Sequence, residues 1–274
     1  MGKVYIIIEA GKVAPLTARE LWRYRELFMM LAWRNIIVRY KQTVLGVIWA
    51  LARPLATMAA FSVIFHRVAK LGGVSGVPYP MLVFSGVLLW QFFAGMVSTG
   101  CDALVGNRGL VTKVYFPRVI IPVSGVIVCV VDFLLALIVF VGAYAIWCRG
   151  VLSWRAALFP LVLLPLVMCA LGVVLGLSAL NVHYRDFRHV VPFLLQLGLF
   201  VSPIGFVGTA IPGTWRVLAQ LNPLYGIIGM ARWSLFGAAV EPVAAAVAVV
   251  ESLLCLTLGF LIFRSQEKGF SDYI

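Results

Sequence analysis

The sequence predicts an all-α polytopic membrane protein, and three observations lead to this fold class. Hydrophobic residues make up 63% of the chain, charged residues only 12%, and the mean hydropathy is +1.04. This composition is typical of a chain whose surroundings are lipid. The apolar runs are long and unbroken, which indicates spanning helices, because backbone amides in hydrocarbon need partners and a β-barrel would show alternating residues.

Six apolar runs are long enough to cross the hydrocarbon core, which takes about 20 residues of helix. They are residues 44–66, 79–101, 119–147, 156–181, 190–209 and 243–263. Fifteen Lys and Arg flank these runs on the side of the termini and six on the other side. The positive-inside bias therefore predicts cytoplasmic termini. The predicted parts are a cytoplasmic N-terminus (1–43), a six-span domain (44–263) and a cytoplasmic tail (264–274).

The N-terminal part predicts an amphipathic helix that lies along the inner membrane surface. Thr17 and Glu20 have the spacing of a capping box, which marks a helix start. At 100° per residue one face collects Leu21, Tyr24, Phe28 and Leu31, whereas another collects Arg19, Arg23, Glu26 and Arg34. The helix serves either as an anchor alone or also as a docking site for a partner.

The start of the first span, RYKQTVLGVIWALARPL (39–55), contains charge where a simple span would have none. Arg53 lies some 14 Å into the run at 1.5 Å per residue, and Pro54 removes a backbone hydrogen bond. A charge at this depth costs at least about 2.5 kcal/mol unless it meets water or a partner. We therefore expect Arg53 to face water or a carboxylate. Asp132 and Glu251 are the other ionisable residues in the predicted spans.

The loop DALVGNRGLVTKVYFPR (102–118) predicts a short cytoplasmic helix that Asp102 starts and Pro117 ends. Its apolar ridge has basic edges, which suits insertion into a groove of a soluble protein. A passive connector is the alternative.

The segment 208–242 is too apolar for a solvated loop, and Pro212, Gly213 and Pro223 interrupt it. Two half-length helices that dip into the membrane from the periplasmic side would explain this pattern. Such re-entrant helices would form an outer gate. Two amphipathic helices that rest on the membrane surface are the alternative.

Several classes of site are not expected. The sequence contains no GxxxxGK[ST] loop, HExxH motif or nucleophile elbow, so we expect no catalytic residue and no cofactor in this chain. The five cysteines lack CxxC spacing, and no metal site is predicted. The net charge of +12 fits an orientation signal and headgroup contact, and nucleic acid is not an expected partner because no soluble domain fits in the chain.

Five motifs in the same order resemble the ABC-2 type permeases that export cell-surface polysaccharides, including the O-antigen, teichoic acid and capsule exporters. The resemblance covers nearly the whole chain. It is carried by RYKQTVLGVIWALARPL (39–55), NRGLVTKVYFPRVIIPV (107–123), YRDFRHVVPFLLQLGLFVSPIGF (184–206), LNPLYGIIGMARWSLF (221–236) and FRSQEKGFSDYI (263–274).

The resemblance implies a permease subunit in a bacterial inner (plasma) membrane. It would work as a homodimer with two copies of a separate ABC ATPase, which binds ATP and Mg, and would pass a lipid-linked polysaccharide, most specifically O-antigen, to the periplasm. The residues implied to couple to the ATPase are Asp102, Leu110, Val111, Lys113, Val114, Tyr115, Arg185 and Asp186. Those implied for the periplasmic gate are Trp215, Asn222, Pro223 and Tyr225.

Aromatic residues make up 13% of the chain, and aromatic rings suit the weak, repeated binding of a sliding sugar polymer. The candidates for the channel wall are Trp49, Arg53, Trp90, Phe92, Phe93, Phe200 and Phe206. Ordinary helix packing or interface anchoring is the alternative for each ring. Two other functions stay open, a proton-coupled secondary transporter and an intramembrane enzyme that acts on polyprenyl-linked sugars.

Overall fold

A computed structural model describes residues 18–41, 46–68, 76–148, 154–208, 211 and 213–273, and all regular structure in these ranges is helical. Thr17 of the predicted capping box and Pro212 lie outside them. The helices are α1 (Ala18–Arg23), α2 (Arg25–Lys41), α3 (Gly46–Phe61, continued by a π-helix Ser62–Val68), α4 (Tyr79–Cys101), α5 (Ala103–Gly106), α6 (Arg108–Lys113), α7 (Ile120–Trp147), α8 (Phe159–His183, after a 3-10 turn Trp154–Leu158), α9 (Phe187–Val201), α10 (Gly213–Gln220), α11 (Pro223–Phe236), α12 (Pro242–Gln266, followed by a 3-10 turn Glu267–Gly269) and α13 (Phe270–Tyr273).

Five helical segments are long and apolar enough to cross a membrane, and they coincide with five of the six predicted spans. They are Ile48–His66, Tyr79–Cys101, Ile120–Trp147, Trp154–His183 and Pro242–Gly269. The chain is therefore a multi-pass helical membrane protein, as predicted.

The sixth predicted span, 190–209, differs from the prediction. Its helix α9 has 15 residues, which cover about 22 Å, and it ends at Val201. Ser202 is extended (φ −79°, ψ 146°) because a proline at the next position disfavours helical backbone in the residue before it. The chain then continues without helix through residues 202–207.

α4 lies at the centre of the bundle, between α7 and α8. Of the most apolar 18 residues in each span, 78% are buried in α4 but only 11% in the first span. α3 therefore lies at the surface of the bundle. α8 and α12 pack along each other most extensively. Their backbones approach at Gly172 and Gly259, where an added Cβ on either glycine would collide with the backbone of the other helix.

A second apolar cluster closes the end of the bundle where α2 and the C-terminal helix α13 meet, which we call the basic end. Its buried members come from α2, α5, α6, the 114–119 connection, α7, α8, α12 and α13: Leu31, Leu104, Val111, Phe116, Ile120, Ile121, Leu175, Ala179, Val182, Phe263 and Phe270. The cluster joins segments from both ends of the sequence into one packed unit.

α2 presents two apolar faces rather than the single membrane-facing one that was predicted. Leu31 is buried in the basic-end cluster and Phe28 packs against it, so the predicted apolar face is turned toward the protein, although Leu21 stays exposed. A different set is left exposed on α2, comprising Met29, Met30, Trp33 and Val38. These side chains are available to lipid. The sequence prediction did not include these four residues, because apolar residues occur on more than one side of the helix and only one side was assigned to the membrane.

The opposite end of the bundle carries the two short helices α10 and α11. Asn222 caps α11, since its Oδ1 accepts a hydrogen bond from the Leu224 amide at 3.0 Å, and Gly237 ends the helix in the left-handed region (φ 69°) that favours glycine. α11 packs against α8 and α12, whereas α10 leaves Trp215, Val217 and Leu218 exposed. The re-entrant placement of these helices in a membrane stays a prediction.

Candidate functional site

A cavity of about 1020 Å³ lies between α3, α4, α7, α9 and the end of α2. Its wall combines charged and hydrogen-bonding side chains with rings and small apolar groups. The polar members are Arg39, Arg53, Thr57, Gln91, Ser98, Thr99 and Asp132. The larger apolar members are Trp49, Leu88, Phe92, Phe133, Pro192 and Leu195. A polar cavity in an apolar bundle is suited to hold a polar molecule.

The carboxylate of Asp132 is engaged from two sides. Arg39 Nη2 lies 2.5 Å from Asp132 Oδ2, and the Tyr40 hydroxyl donates to Oδ1 of the same carboxylate. Burial, and next the hydrogen bond to Asp132, raises the pKa of the Tyr40 phenol above its ordinary value, so the phenol keeps its proton and stays a donor. These contacts tie the end of α2 to the middle of α7.

Arg53 lies on the wall of the same cavity, where the sequence had led us to expect water or a carboxylate. Among the described residues, no carboxylate lies within ion-pair distance of its side chain. Trp49, one helical turn earlier on α3, is 63% exposed and also lines the cavity. Across the cavity, Gln91 Nε2 donates to Thr57 Oγ1 at 3.3 Å.

The remaining channel-wall candidates occupy varied positions within one chain. Trp90 and Phe93 are buried, and Phe92 is buried with its ring 4.6 Å from that of Phe133. Phe200 is 60% exposed and stacks on Phe61, and Phe206 packs edge-on against Phe65. The structure thus brings Trp49, Arg53 and Phe92 to one cavity and leaves Phe200 on the outer surface of the chain. The channel wall stays a prediction.

At the opposite end, Glu241 gathers three donors just before α12. Arg216 Nη2 lies 2.6 Å from Oε1, the Tyr225 hydroxyl donates to Oε1 at 3.0 Å, and Gln220 Nε2 donates to Oε2 at 3.0 Å. These bonds connect α10 and α11 to the start of α12. Sequence reasoning had selected Tyr225 for the gate but missed Glu241 and Arg216.

The other predicted gate residues lie on α10 and at the start of α11, and no hydrogen bond to Glu241 is among their described contacts. Trp215 is 68% exposed on α10. Asn222 caps α11 and also donates from Nδ2 to Ser202 Oγ at 3.2 Å, which ties α11 to the non-helical segment after α9. Pro223 is the first residue of α11, where its missing N–H costs nothing.

We expect acid to weaken the Glu241 junction. Burial alone would raise the pKa of this carboxyl, but the hydrogen bonds from Arg216, Gln220 and Tyr225 outweigh it, and the pKa lies below its ordinary value. A lowered pKa stabilises the fold above the unfolded-state pKa of about 4.3, and this stabilisation disappears as the pH falls through the lower folded-state value. In melting curves from pH 7 to pH 3, the wild type should therefore lose its advantage over Glu241→Gln only in acid.

A matched control is Glu26→Gln, since the Glu26 side chain is 90% exposed. This variant should melt like the wild type at each pH. A constant gap between wild type and Glu241→Gln across the whole range would contradict the assignment.

Arg232 of α11 is a buried cation that sequence reasoning counted only as a loop charge. Its guanidinium donates to the Ile204 carbonyl at 2.7 Å, the Phe206 carbonyl at 2.8 Å and the Leu82 carbonyl at 3.2 Å. Two of these carbonyls belong to the non-helical segment after α9. Carbonyls that are removed from water outside a helix need other hydrogen-bond partners, and Arg232 is the donor to two of them. The signal in the sequence was an arginine inside the apolar run LYGIIGMARWSLF.

At the basic end, the predicted coupling residues divide between surface and interior. Lys113, Val114 and Tyr115 are exposed, as are Asp102, Arg185 and Asp186, and Leu110 is half-buried. Val111 is buried, with 3% of its surface exposed. The exposed members are available to a partner, whereas Val111 holds α6 onto its own chain. ATPase coupling stays a prediction for this set.

Asp102 precedes the first of two very short helices rather than one continuous helix, because Asn107 interrupts the segment. Its carboxylate does not cap α5 but accepts a hydrogen bond from Asn181 Nδ2 at 3.2 Å. Asn107 in turn accepts a bond from Arg34 at 2.6 Å. Both bonds fasten the loop, one to α8 and the other to α2.

The C-terminal tail also docks here, which the sequence analysis did not predict. Phe270 is fully buried, and the Arg118 guanidinium lies 5.8 Å from its ring centre and donates to the Glu267 carbonyl. Glu267 accepts from Arg264 at 2.8 Å, and His183 packs its ring 4.4 Å from that of Tyr273. Among the described residues, no group of three His, Cys, Asp or Glu is placed to hold a metal ion.

Comparison with known proteins shows one family. The family model described as "ABC-2 type transporter" matches residues 26–236. A Myxococcus xanthus protein named "O-antigen export system permease protein RfbA" is 30% identical over 265 residues, which cover 93% of this chain and 98% of the relative. Two Klebsiella pneumoniae proteins with the same name are 24% and 25% identical, each over 91% of this chain and 95% of the relative.

Proposed function

The chain belongs to the ABC-2 type transporter family, and from this we propose that it is the permease subunit of an exporter of a cell-surface polysaccharide. The observation that carries the proposal is the cavity of about 1020 Å³, with polar and aromatic walls, inside an apolar bundle. Rings cover the apolar faces of sugars, and amides and hydroxyls bind their hydroxyl groups. The names of the three relatives support O-antigen as the cargo, and we propose that it is exported while linked to a lipid.

The energy would come from ATP that is hydrolysed, with Mg, on two separate ABC ATPase subunits. The sequence has no GxxxxGK[ST] loop of its own. At the basic end, the exposed apolar side chains of Val114 and Tyr115 project next to the exposed Lys113. Such a surface suits insertion into a groove on a soluble subunit. The chain itself would then carry no enzymatic activity.

A second copy of the chain would complete the channel. α9 borders the cavity through Pro192 and Leu195. Its outward side carries five exposed apolar residues: Phe193, Leu194, Leu197, Phe200 and Val201. A second copy packed against this side of α9 would bury these residues and would enclose the neighbouring cavity as part of a channel. The fifteen to six distribution of Lys and Arg supports a bacterial inner membrane location with both termini cytoplasmic.

The test is co-purification of the tagged chain, from its own host cells, with a phosphate-loop ABC ATPase. The wild type should retain the ATPase, and Val114→Asp/Tyr115→Asp should reduce the recovered ATPase at least about tenfold, because an unpaired carboxylate buried at a contact costs several kcal/mol and 1.4 kcal/mol is tenfold. Val111 is not a suitable target, since a carboxylate there would disrupt the chain's own cluster.

Val217→Asp is the matched control, because Val217 is equally an exposed valine, 63%, but lies on α10 at the opposite end. This variant should retain the ATPase. An intact complex in the double variant would refute the docking surface. A wild-type chain that binds no ATPase, and whose polysaccharide flux survives ATP depletion under an intact proton gradient, would favour the secondary transporter instead.

A further inference from the structure

The charges on the cavity wall do not cancel, because positive side chains outnumber negative ones. Among the described residues the charged side chains are Arg39, Arg53 and Asp132. Asp132 is bound by Arg39 at 2.5 Å on one oxygen and by the Tyr40 hydroxyl on the other. Its negative charge is therefore committed to the α2 junction. Arg53 is left as the uncompensated positive charge of the cavity.

The depth of Arg53 makes this imbalance costly. Arg53 lies seven residues after Gly46, the first residue of α3, which is about 10 Å along the helix. An arginine inside the hydrocarbon region costs at least about 2.5 kcal/mol unless water or an anion meets it. Its side chain is exposed on the cavity side. A ligand with an oxyanion would compensate the charge with short, charge-assisted hydrogen bonds.

The groups around Arg53 match a sugar rather than a bare anion. Trp49, 63% exposed, presents a ring on the same wall one turn away. Gln91 of α4 offers an amide. Thr57, one turn after Arg53 on α3, offers a hydroxyl that accepts from Gln91 Nε2 at 3.3 Å and donates to the Arg53 carbonyl at 2.9 Å. A free phosphate could accept from the guanidinium and the Gln91 amide, but it would leave the Trp49 ring unused. A sugar acid would use the ring for its apolar face, the amide and hydroxyl for its hydroxyl groups, and Arg53 for its acid.

We propose that this cavity selects an acidic glycan, a sugar repeat that bears a carboxylate, and that Arg53 binds the acidic group. The proposal rests on the proposed export function and adds the substrate class to it. The oxyanion could also come from the headgroup of an anionic phospholipid. The ring and amide beside Arg53 favour the sugar, and the experiment separates the two sources.

The experiment measures binding of three probes to the full-length chain in nanodiscs of zwitterionic phosphatidylcholine. The probes are tetragalacturonate, the neutral tetrasaccharide maltotetraose, and glycerol 1-phosphate as a headgroup mimic. We expect tetragalacturonate to bind about tenfold more tightly than either other probe, and this preference should decrease with added salt. Arg53→Gln should abolish the preference, and Arg53→Lys should keep most of it because the charge stays.

Arg188→Gln is the matched control, since Arg188 is exposed on α9 and does not line the cavity. It should keep the full preference. The proposal is wrong if tetragalacturonate shows no binding at millimolar concentration, if its preference survives Arg53→Gln, or if glycerol 1-phosphate binds as tightly, which would assign the site to lipid headgroups. ATPase co-purification is measured separately, so a neutral cargo would refute this proposal and leave the export function standing.

Discussion

Replacing Arg232 with methionine should destabilise the protein by about 2–6 kcal/mol, because a buried carbonyl left without a donor costs about 1–3 kcal/mol and two non-helical carbonyls depend on this side chain. The change keeps the length and apolar stem of the side chain while it removes the donors. The loss should appear as a lower melting temperature in detergent and as new protease cleavage in residues 202–208.

Arg232→Lys should lie between wild type and Arg232→Met. An ammonium keeps the charge but lacks the planar fork that reaches the carbonyls of Leu82, Ile204 and Phe206 together. Arg188→Met is the control, since it makes the same substitution at an exposed position. Equal melting temperatures for Arg232→Met and Arg188→Met would show that the non-helical segment does not depend on Arg232.

The second large effect is expected at the contact of α8 and α12. Gly172→Ala would place a methyl group against the Cys255 carbonyl and the Leu256 amide, and backbone cannot move aside as a flexible side chain does. Overpacking of a close contact costs about 1–3 kcal/mol, and we expect the upper end of that range here. The yield of folded protein in size-exclusion chromatography and the melting temperature should both decrease.

Gly142→Ala provides a contrast on another span. No atom of the described chain, outside the local helix, lies within 4 Å of the Cβ that this change adds to α7. Alanine is favoured over glycine in helices by up to about 1 kcal/mol, so this variant should melt at or above the wild-type temperature. A Gly172→Ala variant as stable as Gly142→Ala would mean that α8 and α12 are not held in close backbone contact.

The spans could be predicted from the sequence because length and hydropathy are local properties of the chain. The early end of the helix in the sixth predicted span is also local, since Pro203 ends α9 inside an apolar run that hydropathy alone extends to residue 209. A sixth crossing stays a prediction. Hydropathy measures preference for lipid and does not measure whether the backbone is helical.

The sites were harder to predict because they depend on distant segments. Arg232 and its carbonyl partner Leu82 are 150 residues apart, and α13 with Phe270 contacts α6 from the other end of the sequence. Val111 shows the same difficulty in another form. Apolar residues along one side of a short helix predict that this side is buried. They do not predict whether a partner protein or the chain's own apolar cluster buries it. Trp49 and Arg53 are one turn apart on one helix, so the sequence alone places them together, and both line the cavity. Their part in a channel wall stays a prediction.

α2 connects the basic-end cluster to the cavity through one continuous helix. Leu31 is fixed in the basic-end cluster together with Val111, and eight residues later Arg39 holds Asp132 at the cavity, about 12 Å further along the helix. An unbroken helix over that distance behaves as a stiff rod. A load that tilts α6 would therefore reach the cavity through about two turns of α2, at the ion pair of Arg39 and Asp132 that joins α2 to α7.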